Sequence, residues 1–151
     1  MTATPTGAEA GFHILIVDDN EMGLLARKQV LWELGHRVTV VSSAQEAIRR
    51  FISEPFDLVV TDYKMPDMDG IEIIRRARSH NPDIPIVLIS GFTNALGLNE
   101  TSTGADVVLQ KSATEVSQLI RAVNRLLRKA APPKKRATTQ KKSAAASQRA
   151  G

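Results

Sequence analysis

The sequence predicts an α/β fold, a doubly wound sheet of five parallel strands with helices on both faces. Three observations predict it. Short apolar runs rich in β-branched residues alternate five times with segments whose apolar residues recur every three to four positions. The runs are too evenly hydrophobic for strands with one wet face, which marks them as parallel strands buried on both sides. Composition agrees. A chain of 151 residues, 42% hydrophobic and 24% charged, has the balance of a globular domain, which excludes a wholly disordered chain, a collagen-like fibre and a coiled coil.

Residues 1–11 are small and polar and read as a disordered lead, with neither the basic residues nor the apolar run of a secretory signal. His13–Val17 (HILIV) is too short for a helix and predicts the first strand. Asn20 is placed to cap the next helix, whose apolar stripe is read as Met22, Leu25, Ala26, Val30 and Leu34, with Gly35 as its stop. Trp32 on this helix reads as core or a partly buried flank. Arg37–Val41 predicts the second strand, and residues 44–52 a helix ended near Pro55. Residues 57–61 (DLVVT) predict the third strand and 70–79 the third helix, with Ile71, Ile74 and Ala77 on one face. Residues 84–90 (IPIVLIS) predict the fourth strand. Between Phe92 and Thr103 lie two Asn, two Thr, a Ser and Gly97, poor helix formers that predict only a short, mobile fourth helix. Residues 107–109 predict the fifth strand. The closing helix is expected from Thr114 to about Lys129, on a stripe of Val116, Leu119, Ile120, Val123, Leu126 and Leu127.

In such sheets ligands bind outside the carboxyl ends of the strands. The residues just after the strands are Asp18 and Asp19, Asp62, Ser90 and Lys111. Three clustered carboxylates repel unless they share a cation, and an all-oxygen donor set with room for water suits Mg²⁺ or Mn²⁺. A carboxylate also serves as a nucleophile toward phosphorus, and phosphoryl transfer needs positioning and charge neutralisation more than acid-base groups. No histidine follows a strand, which disfavours ordinary general-base hydrolysis. Cysteine is absent, so thiolate chemistry and disulfides are excluded. Each feature also has a plainer reading. An Asp-Asp pair after a strand often only caps a helix, Asp62 and Ser90 suit turns, and Asp67-x-Asp69 is read as solvated turn chemistry.

The strings Val17-Asp18-Asp19-Asn20, Asp62-Tyr63-Lys64-Met65-Pro66-Asp67-Met68-Asp69-Gly70, Ile89-Ser90-Gly91 and Leu109-Gln110-Lys111 resemble the receiver domain of two-component response regulators over about residues 12–130. The resemblance implies the flavodoxin-like strand order 2-1-3-4-5. It implies Asp62 as phosphoacceptor, charged by a sensor histidine kinase or a phosphotransfer protein. Asp19 and Asp62 would bind Mg²⁺ (or Mn²⁺) directly, Asp18 directly or through water, and Lys64 through its backbone carbonyl. Lys111 would pair with the phosphoryl oxygens, and the Ser90 hydroxyl would move toward them and pass the signal outward. Such a chain catalyses its own phosphorylation and dephosphorylation rather than acting as a conventional enzyme. It signals by protein contacts through the fourth helix, fifth strand and last helix, to a downstream protein that is unknown, with a homodimer possible.

Three positions depart from the family pattern. Lys111 is followed by Ser112, where the family usually has a proline in a cis peptide. A cis bond without proline costs about 2.5–4 kcal/mol against about 0.5–1 for X–Pro, so this bond is either cis under strain or trans with a differently seated loop. Val108 stands where a rotating aromatic is usual, which leaves the switch to another carrier, Phe92 being nearest. Lys64 puts a cation beside the site. These departures keep open a degenerate receiver that signals by binding alone.

The formal net charge of +4 averages two unlike parts. The last acidic residue is Glu115. Up to it the chain holds sixteen acidic and ten basic residues, and after it ten basic and no acidic ones. Residues 131–151 contain no Leu, Ile, Val or aromatic residue, which predicts a disordered basic tail too short for an output domain and hence a stand-alone receiver. Its charge suits phosphate backbones or an anionic surface, so a nucleic-acid-associated role is a further alternative, as is a solvated tail with no dedicated partner. No apolar stretch is long enough to span a bilayer, and a cytoplasmic location is expected.

Overall fold

A computed structural model describes residues 11–91 and 93–130. The elements are β1 (His13–Val17), α1 (Glu21–Glu33), β2 (Arg37–Val41), α2 (Ala44–Ser53), β3 (Leu58–Asp62), α3 (Gly70–His80), β4 (Ile86–Ser90), α4 (Thr93–Leu96), α5 (Glu100–Thr103), β5 (Val107–Gln110) and α6 (Glu115–Ala130). All strand pairs are parallel and the order is β2-β1-β3-β4-β5, as the resemblance implied.

Because successive strand side chains point to opposite faces, the sheet builds two cores. Ile14, Ile16, Leu58, Val60, Val87 and Ile89 pack with Leu24 and Leu31 of α1 and with Leu119, Val123 and Leu127 of α6. Leu15, Val17, Val59, Ile86 and Leu88 pack with Phe51 of α2 and with Ile73, Ile74 and Ala77 of α3. β1, β3 and β4 are buried at every position, which is why their sequences read as apolar runs without alternation. Among the described residues no helix is long and apolar enough to cross a membrane.

Several expectations are corrected. The buried face of α1 is Leu24, Arg27 and Leu31, while Met22 and Leu25 are 77% and 54% exposed. The helix is apolar on several sides, so more than one stripe fits its period, and a charged residue on the buried face disguises the true one. In α3, Ile73 takes the buried position read for Ile71. In α6, Val116 is 39% exposed and the buried stripe starts at Leu119. β3 runs one residue later than expected because Asp57 turns aside, its carboxylate accepting the His13 N–H at 2.8 Å. β4 begins at Ile86, since Pro85 has no N–H for the ladder and contributes only its carbonyl, to Val59 N. The single fourth helix is instead two short turns. Gly97 (φ +67°) ends the first, and Asn99 starts the second in a capping box with Ser102.

Candidate functional site

The carboxyl ends of β1, β3, β4 and β5 converge on one open cleft of about 570 Å³. Asp19, Asn20, Asp62, Lys64, Met65, Pro66, Ser90, Gly91 and Lys111 line it. β1 ends at Val17, so Asp18 and Asp19 step over the sheet edge. Asn20 then caps α1 by accepting the Gly23 N–H at 2.9 Å, and its own N–H bonds Asp18 Oδ1 at 2.9 Å. Asp62 is the last residue of β3, paired in register with Ile89. After it the chain turns at once into α3, and Gly70 N donates to Tyr63 O. This turn needs glycine. A Cβ on Gly70 would stand 2.6 Å from Asp62 O, 2.7 Å from Leu88 Cδ1 and 2.9 Å from Tyr63 Cα.

One carboxylate oxygen from each of Asp18, Asp19 and Asp62 lies within 4.8 Å of the others. Asp18 and Asp62 are 1% and 3% exposed, whereas Asp19 faces solvent. Lys111 Nζ lies 2.9 Å from Asp62 Oδ1. Apart from that ion pair the oxygen is buried without a hydrogen-bond partner. Burial pushes the Asp62 carboxyl above the usual range, reinforced by the charge of Asp18 and opposed by Lys111 and Arg27. A buried acidic oxygen with spare lone pairs, beside two more carboxylates, is what a hard divalent cation fits.

Ser90 is 2% exposed at the end of β4, where its carbonyl accepts the Lys111 N–H at 2.9 Å. Lys64 is exposed on the cleft wall. No cis peptide occurs among the described residues, so the Lys111–Ser112 bond is trans, and the Lys111 amine still reaches Asp62. Val108 is half-buried, packs on the α2–α3 side of the sheet, and donates its N–H to Glu100 Oε2 at 3.0 Å. Phe92, the other switch candidate, lies outside the described residues, as do the lead through Ala10 and the tail. Asp67 and Asp69 take structural tasks in keeping with their reading as turn chemistry. Asp69 caps α3, and Asp67 accepts the Ala44 and Gln45 N–H groups at the start of α2.

Sequence reasoning missed two sets of side chains at this rim. Arg27 is 5% exposed and bonds Asp18 Oδ2 at 2.5 Å and Glu115 Oε2 at 2.7 Å. Its only sequence signal is a charge on the Leu24–Leu31 spacing. Gln110, next to Lys111, donates to Gly91 O at 3.0 Å and accepts from the Thr93 hydroxyl, tying β5 to the loop after Ser90.

The family model for the response regulator receiver domain matches residues 14–124. Among relatives, the response regulator receiver protein CpdR of Brucella abortus is 36% identical over 115 residues, covering 76% of this chain and 94% of its own. Among solved structures, a response regulator receiver protein from Sinorhizobium medicae superposes with a TM-score of 0.71 at 35% identity, covering 80% and 98% of the two chains. The response regulator TrrA of Thermotoga maritima, solved in complex with Mg²⁺-BeF, gives 0.69 at 29% identity over 76% and 98%. With its strand order, its rim of acidic residues and this match, the chain belongs to the receiver domain family of two-component response regulators.

Proposed function

We propose that this receiver is a phosphorylation-dependent switch that takes a phosphoryl group onto Asp62. The observation that carries the reading is one carboxylate, Asp62, buried at a strand end between a lysine ammonium and two further carboxylates, and opening on a cleft. A carboxylate oxygen of Asp62 attacks phosphorus as the P–N bond of a phosphohistidine donor breaks, and the donor leaves as imidazole. Lys111 neutralises phosphoryl oxygens as it neutralises Asp62 beforehand. The Ser90 hydroxyl supplies a hydrogen bond to the group once formed, and Gln110 ties the loop that follows Ser90 to β5.

Asp19 and Asp62 would hold a Mg²⁺ ion directly, with Asp18 behind them and the Lys64 carbonyl as a further ligand. When bound, the ion neutralises charge on the transferring phosphoryl group and fixes its orientation. The chain is then a partner of a sensor histidine kinase or phosphotransfer protein in the cytoplasm, with residues 12–130 as the switch domain and 131–151 as a basic appendage. Small-phosphodonor labelling tests this. Acetyl phosphate labels the wild-type chain only with Mg²⁺, and Asp62→Asn is not labelled. A label that survives the substitution removes Asp62 from its role, and an unlabelled wild type leaves only phosphorylation-independent binding.

A further inference from the structure

Arg27 has no part in the proposed phosphoryl transfer. It occupies the buried face of α1 between Leu24 and Leu31, where an aliphatic side chain would continue the stripe. A buried guanidinium is poorly compensated unless fixed charges face it on each side. Here two do. Nη1 meets Asp18 Oδ2 at 2.5 Å, and Nε meets Glu115 Oε2 at 2.7 Å. The other Asp18 oxygen already accepts the Asn20 N–H. Both oxygens of Asp18 are therefore engaged, while Asp62 Oδ1 has only the lysine. Gly23 keeps the pair uncrowded, since a Cβ there would stand 3.0 Å from Asp18 Oδ2 and 3.8 Å from Arg27 Nη1.

We infer that Arg27 is the resident counter-ion of the acidic cluster, a positioning residue that holds Asp18 away from direct coordination and weakens divalent-cation binding. The inference rests on the reading that such an ion binds at Asp19 and Asp62. Arg27 cannot shed its proton, so an arriving dication and the guanidinium compete for one carboxylate in a site where water screens them little. The other partner of the guanidinium is Glu115, the first residue of α6 and four residues beyond Lys111. Metal occupancy is thereby felt at the start of the last helix.

The test is calorimetric titration of the full chain with Mg²⁺ alone, repeated with Mn²⁺ followed by its electron paramagnetic resonance signal, with no phosphodonor present. Arg27→Met removes the competing charge and tightens binding about tenfold or more. Glu115→Gln leaves Arg27 with Asp18 as its one direct ion pair and weakens binding about threefold. Arg27→Lys keeps the charge and stays close to wild type. A merely structural arginine would lower melting temperatures without moving the two affinities in opposite directions. Unchanged or weaker binding in Arg27→Met, or unchanged or tighter binding in Glu115→Gln, overturns the inference. If Arg27→Met does not fold, Glu115→Gln decides alone. A wild type that binds no Mg²⁺ overturns both this inference and the reading beneath it, whereas binding that neither variant moves overturns the role of Arg27 only.

Discussion

Replacing Gly70 with alanine tests how tightly the acceptor strand end is braced against α3. The added methyl meets Leu88 Cδ1 at 2.7 Å, about 1 Å inside the roughly 3.5–4.0 Å at which carbon atoms rest. Rotating Leu88 is no escape, because its side chain is fully buried in the α2–α3 core. The other two contacts, Asp62 O at 2.6 Å and Tyr63 Cα at 2.9 Å, are backbone. The first turn of α3 or the end of β3 has to move. Overpacking of this kind costs about 1–3 kcal/mol, and backbone neighbours put it toward the upper end. The better helix propensity of alanine returns at most about 1 kcal/mol, and less at the first helical position. About 2 kcal/mol of net destabilisation remains, which lowers the urea midpoint by roughly 1 M for a slope near 2 kcal/mol/M. Displacing the Asp62 carbonyl also disturbs the carboxylate beside Lys111, so acetyl phosphate labelling falls more than stability alone explains. Equilibrium urea unfolding by circular dichroism, with slopes compared, reads the first effect. A midpoint equal to or above wild type refutes the close-packing argument.

Asp62→Asn raises the melting temperature at neutral pH. A carboxyl whose folded pKa is raised withdraws stability as pH climbs through that pKa, and the amide removes the withdrawal; a lowered melting temperature would contradict the sign. Lys111→Met leaves Asp62 buried without its counter-charge and costs about 1–2 kcal/mol, between the values for exposed and buried pairs because the lysine is partly exposed. Chemical denaturation measures that loss, and labelling falls with it. Asp67→Ala removes the acceptor of two N–H groups at the start of α2 and costs about 0.5–1 kcal/mol with Asp62 labelling retained; loss of labelling would instead tie Asp67 to the site. His13 and His36 both have pKa values lowered, chiefly by burial, so the unfolded chain binds more protons and stability declines as pH falls through about 6.5. Melting curves from about pH 7.5 to about pH 5.5 show the decline, and His13→Gln with His36→Gln flattens it.

The alternation of strands and helices and the residues on the rim are legible in the chain without its fold. Both depend on local pattern, since a strand buried on two faces is an unbroken apolar run and the next residue lies at the sheet edge. Asn20 and Gly35 were legible for the same reason, because capping and stopping a helix involve neighbours in the chain. The buried face of α1 was not legible. Its apolar residues ring the helix, and the face that packs is chosen by Leu31 meeting the sheet and by Arg27 meeting carboxylates. Glu115 is 88 positions from Arg27 in the sequence, and no periodicity joins them. The break of the fourth helix at Gly97 and the clasp of Gln110 on Gly91 and Thr93 likewise needed the docked chain. Periodicity reports which residues avoid water. Which charges neutralise one another inside the fold is decided only when distant segments are brought within a few ångströms, where leaving a buried charge without its partner costs more than the propensity of either residue.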